Sequence, residues 1–119
     1  MTRIYVREHI GRSGLSKRNG DILYKVIMDH IKENQKIVLD FAGVDAFASL
    51  FFNASIGRLL KDYSLEELHE RLDFVNLTPV GQNTLRRTIK NSAEYFGNTD
   101  VRKAVDSTIS EIGGEESEN

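Results

Sequence analysis

Apolar and polar residues follow two periods along this chain, and together they predict strands separated by helices. Residues 3–6 alternate charged and apolar side chains, which predicts a first strand that runs on toward Ile10. Residues 36–41 are almost continuously apolar, as in a strand that is covered on both faces of a parallel sheet. Residues 72–77 alternate again and predict a third strand.

Between the strands, apolar residues recur every three or four positions, which is the spacing of an amphipathic helix. The first such helix follows Ser16, a good N-cap, and closes at residues 33–35. A second helix is predicted over residues 50–63. Ser64, with a glutamate three residues later, matches a capping box and predicts a short helix that ends near Arg71.

Two further helices are predicted at the carboxyl end of the chain. Thr78 is a capping residue followed by a proline, so a helix begins there, and Gly97 ends it. A last helix is predicted over residues 98–112, where apolar positions again form one stripe. Two glycines and three glutamates follow. These features divide the chain into a domain over residues 1–112 and a flexible acidic tail over residues 113–119.

The predicted order of elements is strand, helix, strand, helix, short helix, strand, helix, helix. Strands that are joined through helices pair in parallel, with right-handed crossovers. We therefore expect a single small α/β domain with a mostly parallel sheet of about three to four strands and two C-terminal helices. Because the pattern shows only about three strands, either one edge of the sheet is short or a fourth strand lies within a loop. One domain is also what a chain of 119 residues allows.

Composition narrows the function classes. Hydrophobic residues make up 39% and charged residues 29% of the chain, and a net charge of −2 offers no bulk attraction to nucleic acid or anionic membranes. The absence of cysteine excludes disulfides, thiolate metal sites and cysteine nucleophiles. The amino end lacks the apolar core of a signal peptide, and no apolar run approaches the roughly 20 residues that span a bilayer. We expect a cytoplasmic protein without a membrane segment.

Three segments carry a resemblance to a known family: LDFAGVDAF (39–47), FFNASIGRLL (51–60) and YSLEELHERLDFVNLTP (63–79). Together with the glycine-rich loop before the first helix, they resemble the STAS-like domain family of unknown function found in bacteria and archaea. This family is related to the STAS domains of anti-sigma-factor antagonists. The resemblance covers most of residues 11–96. It implies a non-catalytic regulatory module that docks a protein partner, with a histidine-kinase-like ATPase as the partner class and with no cofactor.

The resemblance also directs attention to the start of the second helix. In the antagonist branch, a serine within an Asp-Ser-Ser-Gly motif at this point is phosphorylated by a partner ATPase-kinase. Aligning the strand and its turn places residues 48–51 on that motif, so Leu50 occupies the phosphoacceptor position and Ser49 lies one residue earlier. Ser49 has two interpretations. It is a phosphoacceptor whose phosphate would sit at a helix N-terminus, or it is the N-cap of the helix.

The exit of the second strand is the first candidate site, because partner and ligand sites collect at this end of open α/β sheets. Asp40 and Asp45 form either a polar rim for a partner or a divalent-cation site; otherwise Asp40 fixes the turn and Asp45 is solvated. The phenylalanines at 47, 51 and 52 either pack in the core or expose one ring for docking. The expected docking surface consists of Asp40, Gly43, Asp45, Phe47, Ser49, Phe51, Asn53 and Arg58.

The loop before the first helix is the second candidate site and supports a different function. Its glycines, hydroxyls and positive charges are the ingredients of an anion-binding loop, although the full phosphate-loop and dinucleotide motifs are missing. The alternative function is therefore a small-ligand or nucleotide-binding domain, and a plain strand-to-helix turn also fits the pattern. The residues of this loop are Gly11, Arg12, Ser13, Gly14, Ser16, Lys17 and Arg18.

The remaining polar residues point to no further chemistry. His9, His30 and His69 are not at metal-ligand spacing, and His30 follows the inward stripe of the first helix. No serine, histidine and acid lie on a recognisable nucleophile elbow. The basic residues at 86–90 and 102–103 are interrupted by acidic ones and predict a solvated helix face rather than a nucleic-acid site. We expect no metal, no nucleic-acid partner and no catalytic activity.

Overall fold

A computed structural model describes residues 1–31 and 35–97 of the chain. The predicted last helix (98–112) and the acidic tail lie outside the described residues, as do residues 32–34 at the expected close of the first helix. The elements in chain order are β1 (Thr2–Tyr5), α1 (Val6–Ile10), β2 (Ser13–Gly14), α2 (Lys17–Ile31), β3 (Ile37–Asp40), β4 (Ala46–Phe47), α3 (Ser49–Ser55), a 3₁₀ helix (Gly57–Lys61), α4 (Leu65–Arg71), β5 (Leu72–Val75) and α5 (Pro79–Tyr95).

The three strands expected from the pattern form one parallel sheet. β3 lies in the centre, with β1 on one side and β5 on the other. The register places Tyr5, Asp40 and Val75 side by side at the carboxyl end of the sheet. All four residues of β3 are buried, as its apolar run predicts for a strand covered on both faces. The predicted mostly parallel α/β fold is confirmed.

A second, separate sheet of two short strands lies within the loops, whereas the sequence had suggested either a short sheet edge or one further strand in a loop. β2 pairs in parallel with β4, and each strand has two residues. Backbone hydrogen bonds continue the pairing at both ends, from the Asp45 amide to the Arg12 carbonyl (3.1 Å) and from the Ala48 amide to the Gly14 carbonyl (2.9 Å). The loop before α2 is therefore joined to the loop after β3.

The first strand does not run on to Ile10, because the chain enters helix α1 at Val6. In a strand, residues 6, 8 and 10 would share one face, so Glu8 would enter the core together with two apolar side chains. In a helix, residues four apart share a face while the residues between them turn away. Val6 and Ile10 are buried and Glu8 is exposed, so the helix satisfies all three side chains.

The helix predicted over residues 50–63 is interrupted. Its first part is α3, and a 3₁₀ helix follows after Ile56. The Ser55 hydroxyl donates to the Phe51 carbonyl (2.9 Å), a local bond that is associated with helix bending. The second part begins with Gly57, where a Cβ atom would lie 2.4 Å from the Ser92 hydroxyl oxygen of α5. The break therefore occurs where the chain packs directly against α5.

The predicted helix caps are confirmed. The Ser16 hydroxyl accepts from the Asn19 amide (3.0 Å), and the Thr78 hydroxyl accepts from the Gly81 amide (3.1 Å). Ser64 forms the full capping box with Glu67, in which each side chain bonds the other residue's amide. These bonds join residues three apart, which is why the sequence pattern alone locates them.

The phenylalanine cluster is part of the core. Phe51 and Phe52 are fully buried, and the ring of Phe47 stacks on that of Phe52 with centroids 5.6 Å apart. Helix α2 packs closely against this region at Gly20, where a Cβ atom would lie 2.5 Å from the Phe51 carbonyl oxygen. Of the two interpretations of these rings, core packing is the one observed, because Phe47 is only 9% exposed and Phe51 and Phe52 are fully buried.

Candidate functional site

Asp40 is buried at the carboxyl end of β3 and binds groups from three parts of the chain. Its Oδ2 accepts from Arg3 Nε (3.1 Å) and Nη2 (2.8 Å). Its Oδ1 accepts from the Ala42 amide (3.0 Å) and from Asn76 Nδ2 (2.8 Å). Asn76 follows β5 in a left-handed conformation (φ 63°) that asparagine tolerates better than most residues. The carboxylate thus connects β1, the turn after β3 and the end of β5.

The electrostatics of Asp40 follow from these contacts. Burial by itself would raise the pKa of the carboxyl group, but hydrogen bonds from Asn76, Ala42 and Arg3 and the charge of Arg3 outweigh it, so the pKa of Asp40 lies below its ordinary value. The carboxylate is ionised and both of its oxygens are occupied. Asp40 therefore fixes the turn, as one of the two sequence interpretations held, and offers no contact to a partner.

Asp45 pairs with Arg12 on the surface, and this pair joins the two candidate sites. Arg12 Nε donates to Asp45 Oδ2 at 3.1 Å, and Nη2 forms a second bond to the same oxygen. The hydrogen bond from Arg12 lowers the pKa of Asp45, and the same contact raises the pKa of Arg12. Since β2 also pairs with β4, the loop before α2 and the loop after β3 form one surface. From the sequence, these two loops were predicted to be separate sites with alternative functions.

Within the loop before α2, most polar groups are used to hold its own shape. Ser16 caps α2, and Asn19 Nδ2 donates to the carbonyl of Ser13 (2.8 Å). Lys17, which the helix dipole disfavours at this end, is neutralised by Asp21 one turn later, with Nζ 2.8 Å from Oδ2. Gly11 has a positive φ of 71° and so supplies the backbone freedom expected of the loop. Arg18 is exposed.

Ser49 is not the N-cap of α3. That position belongs to Ala48, which has extended backbone angles and no side chain that caps the helix. Ser49 is the first helical residue, and its side chain is exposed. The capping interpretation of Ser49 is therefore wrong, while its exposure fits the phosphoacceptor interpretation.

The expected docking surface separates into an exposed and a buried set. Asp40, Phe47 and Phe51 are at most 9% exposed and contribute no contact area. Phe51 was among the residues expected on the surface and Leu50 was not, but the helical period turns Phe51 inward and Leu50 outward. The members with exposed side chains or backbone are Gly43, Asp45, Ser49, Asn53 and Arg58.

Three exposed aliphatic side chains also belong to this region, and none of them was predicted from the sequence to be a contact. Leu15, Leu50 and Val80 are 46%, 55% and 61% exposed, and we call them the apolar rim. Each of the three is next in sequence to a residue that packs at the Phe47 ring or is close to it. Leu15 follows Gly14, where a Cβ atom would lie 3.2 Å from the Phe47 and Phe51 rings, and Val80 precedes Gly81, where a Cβ atom would lie 2.9 Å from the Phe47 ring. Leu50 precedes Phe51 itself. The signal for Leu50 was its position outside the buried stripe of its helix.

The histidines and the basic residues of α5 form no further site in the described part of the chain. Within residues 1–31 and 35–97, no three histidine, aspartate or glutamate side chains are grouped to bind a metal. His30 is half-buried, and its Nδ1 lies 2.9 Å from the Val26 carbonyl oxygen. On α5, Arg86 Nη1 donates to Asn83 (3.2 Å); residues 102–103 lie outside the described part. None of the described helices has the length and apolar character needed to cross a membrane.

Comparison with protein families identifies a family to which the chain is similar. A family model described as the STAS-like domain of unknown function (DUF4325) matches residues 19–82, which is just over half of the chain. The matched segment contains Asp40, Asp45 and the whole of α3, whereas Arg3 and Arg12 precede it. Comparison with curated proteins and with solved structures gave no match.

Proposed function

The chain belongs to the family of STAS-like domains of unknown function, and from this premise we propose that it is a non-catalytic regulatory module that docks a partner protein. The docking surface is the exposed side of the loop after β3 and of α3. We define this loop–helix surface as Gly43, Asp45, Ser49, Leu50 and Asn53. The observation that supports it is the position of three exposed residues, 49, 50 and 53, on one side of a helix whose other side is buried.

The framework under this surface favours binding, because it holds the loop in place before a partner arrives. Asp40 binds the Ala42 amide, Arg12 binds Asp45, and β2 pairs with β4. A surface that is already ordered loses less conformational entropy on association than a mobile one. Leu50 adds an exposed apolar contact of the kind that interfaces bury.

The partner class that we propose is a histidine-kinase-like ATPase of the cytoplasm, with Ser49 as the point of control. A phosphate on Ser49 would add roughly 1.5 to 2 negative charges beside Asp45 and Leu50. Added charge next to an exposed carboxylate and an apolar contact would weaken an apolar interface through repulsion and desolvation. Phosphorylation would therefore release the partner.

Non-catalytic function is supported by the state of Asp40, the carboxylate that is buried at the end of the sheet. A general base needs an accessible oxygen and a pKa near the working pH. Asp40 has a lowered pKa, and both oxygens accept hydrogen bonds from the protein.

The experiment is a calorimetric binding titration against kinase-like ATPases encoded beside this gene. We expect Leu50→Asp and Ser49→Asp each to weaken binding by about tenfold or more, because each places a charge in the interface. Asn53→Ala should weaken it less, and Asn91→Ala, an exposed asparagine of α5, is the matched control. If the Leu50 and Ser49 variants bind like the unchanged protein, this surface does not dock the partner.

The alternative function, nucleotide binding at the Gly11–Arg18 loop, has one supporting observation: the loop precedes α2, which is 15 residues long. Against it, Arg12 and Lys17 are paired with carboxylates, and Ser16 caps the helix. A thermal-shift screen with ATP, ADP and GTP separates the functions, since a ligand of the native state raises the melting temperature. An unchanged melting temperature at millimolar nucleotide would exclude this alternative.

A further inference from the structure

A groove between α2 and α3 forms a second surface, separate from the loop–helix surface. It has a volume of about 590 Å³ and is open to solvent. Its apolar part consists of Tyr24, Met28 and Ala54, and Ala54 belongs to the close helix contact at Gly20. Its charged part is supplied by Lys17, Asp21, Lys25 and Arg58. An apolar floor with charged edges is the anatomy of a peptide-binding groove.

The charges of the groove are organised around Asp21. Lys17 Nζ lies 2.8 Å from Asp21 Oδ2, and Arg58 Nη1 lies 3.3 Å from Asp21 Oδ1. The guanidinium of Arg58 also lies over the Tyr24 ring, with Cζ 3.8 Å from the ring centroid, and this cation–π contact places it on the apolar floor. One carboxylate thus positions two cations, and exposed Lys25 adds a third.

The balance of charge in the groove is opposite to that of the whole chain. Three cations and one carboxylate line it, whereas the chain carries a net charge of −2. An acidic partner is therefore attracted to this groove and repelled by the protein as a whole. Such an arrangement favours orientation and specificity more than affinity.

We propose that this groove binds an acidic peptide segment of a partner protein. An apolar side chain of the peptide packs on Tyr24 and Met28, and its carboxylates bind Arg58 and Lys25. The planar guanidinium of arginine has several N–H groups and can donate two parallel hydrogen bonds to one carboxylate. The inference goes beyond the function proposed above, because it requires neither Ser49 nor Asn53.

A peptide fits these residues better than a nucleic acid does. Nucleic-acid sites use an uninterrupted basic stripe and several aromatic side chains on which bases stack. The groove has a single aromatic ring, and its carboxylate, Asp21, lies between two of the cations. Asp21 interrupts the row of cations, so the regularly spaced phosphates of a nucleic-acid strand would meet a like charge there. A peptide needs to place its carboxylates only at Arg58 and Lys25.

The test is a fluorescence-anisotropy titration of the full chain with a labelled peptide of glutamates and leucines. The comparison peptide has glutamine in place of every glutamate, and an oligo-dT of equal charge is a third probe. We expect the acidic peptide to bind about tenfold tighter than the glutamine peptide and to weaken when salt rises from about 50 to about 300 mM. Oligo-dT should bind more weakly than the acidic peptide.

Variants then assign the binding to the groove. Lys25→Ala combined with Arg58→Ala should weaken acidic-peptide binding by about tenfold. Arg87→Ala combined with Lys90→Ala removes two exposed cations of α5 and should change it less than about twofold. Lys25→Glu, a single exposed change, repeats the test if the first variant folds poorly. Equal binding of both peptides, tighter binding of oligo-dT, or an equal loss in the α5 control would overturn the proposal.

Discussion

Arg3 and Asp40 form an ion pair in which both hydrogen bonds go to one carboxylate oxygen, at 3.1 and 2.8 Å. The two ends of the pair have different surroundings: the Arg3 side chain is 42% exposed, and that of Asp40 is 6% exposed. The Asp40 carboxylate is therefore buried, which is unfavourable for a charged group, and the partly solvated Arg3 guanidinium at the edge of the sheet neutralises it. This pair ties β1 to the end of β3, directly beneath the turn that leads to the loop–helix surface.

Replacing Asp40 with asparagine should lower the free energy of unfolding by about 2 kcal/mol or more, since the Arg3 pair is lost and buried hydrogen bonds are left unmade. Asp73→Asn is the matched control on the neighbouring strand, because Asp73 pairs with Lys36 at 3.4 Å and is partly exposed. The control should stay within about 0.5 kcal/mol. Urea unfolding followed by circular dichroism measures both, and equal effects would contradict the role of Asp40.

The lowered pKa of Asp40 makes stability depend on pH in a definite direction. A carboxyl whose pKa is lower in the folded than in the unfolded state stabilises the fold above the unfolded pKa, about 3.9 for aspartate. That contribution is lost as pH falls through the folded pKa. Urea midpoints between about pH 6 and pH 2 should therefore fall less steeply for Asp40→Asn than for the unchanged protein. Parallel pH profiles would show that Asp40 does not contribute.

Gly20→Ala should destabilise the protein, although alanine is the better helix former by about 1 kcal/mol. The new Cβ would lie 2.5 Å from the Phe51 carbonyl oxygen and 2.6 Å from the Ala54 Cβ, so α2 and α3 must separate. We expect a loss of about 1 to 3 kcal/mol in thermal or urea unfolding. Asp29→Ala, at an exposed position of the same helix, should change stability by no more than about 0.5 kcal/mol.

The neighbours Leu50 and Phe51 should respond oppositely to alanine substitution. Phe51→Ala removes a fully buried ring and should lower the free energy of unfolding by about 3 to 5 kcal/mol. Leu50→Ala removes a side chain that is 55% exposed and should change it by about 0.5 kcal/mol or less. Urea unfolding tests both. A large loss for Leu50→Ala would mean that this residue belongs to the core and not to the loop–helix surface.

Local patterns predicted much of the fold. The apolar run of β3, the caps at Ser16, Ser64 and Thr78, and the inward stripe of α2 all involve residues within a few positions of each other. The interactions that determine these features lie within one helix or one strand, so the local sequence is enough to predict them. Parallel pairing then follows from the helices between the strands.

Local patterns failed where the outcome depends on distant partners. Residues 6–10 form helix α1 and not the predicted strand, because the helix buries Val6 and Ile10 in the core and leaves Glu8 exposed. The strands β2 and β4 have two residues each, too few for any period to appear. The long helix breaks just before Gly57, which packs closely against Ser92 on a different helix, and no local pattern predicts that contact.

The same distinction applies to the candidate site. The sequence by itself determined that an aspartate ends a buried strand, that a glycine-containing turn follows and that a serine lies near the start of the next helix. Only the tertiary structure decided that Asp40 is inside and paired with Arg3, 37 positions away, and that Asp45 pairs with Arg12, 33 positions away. The reason is that ion pairing and burial depend on distances in space. The sequence contains 16 basic and 18 acidic residues, and it does not show which of them lie close together in the folded chain.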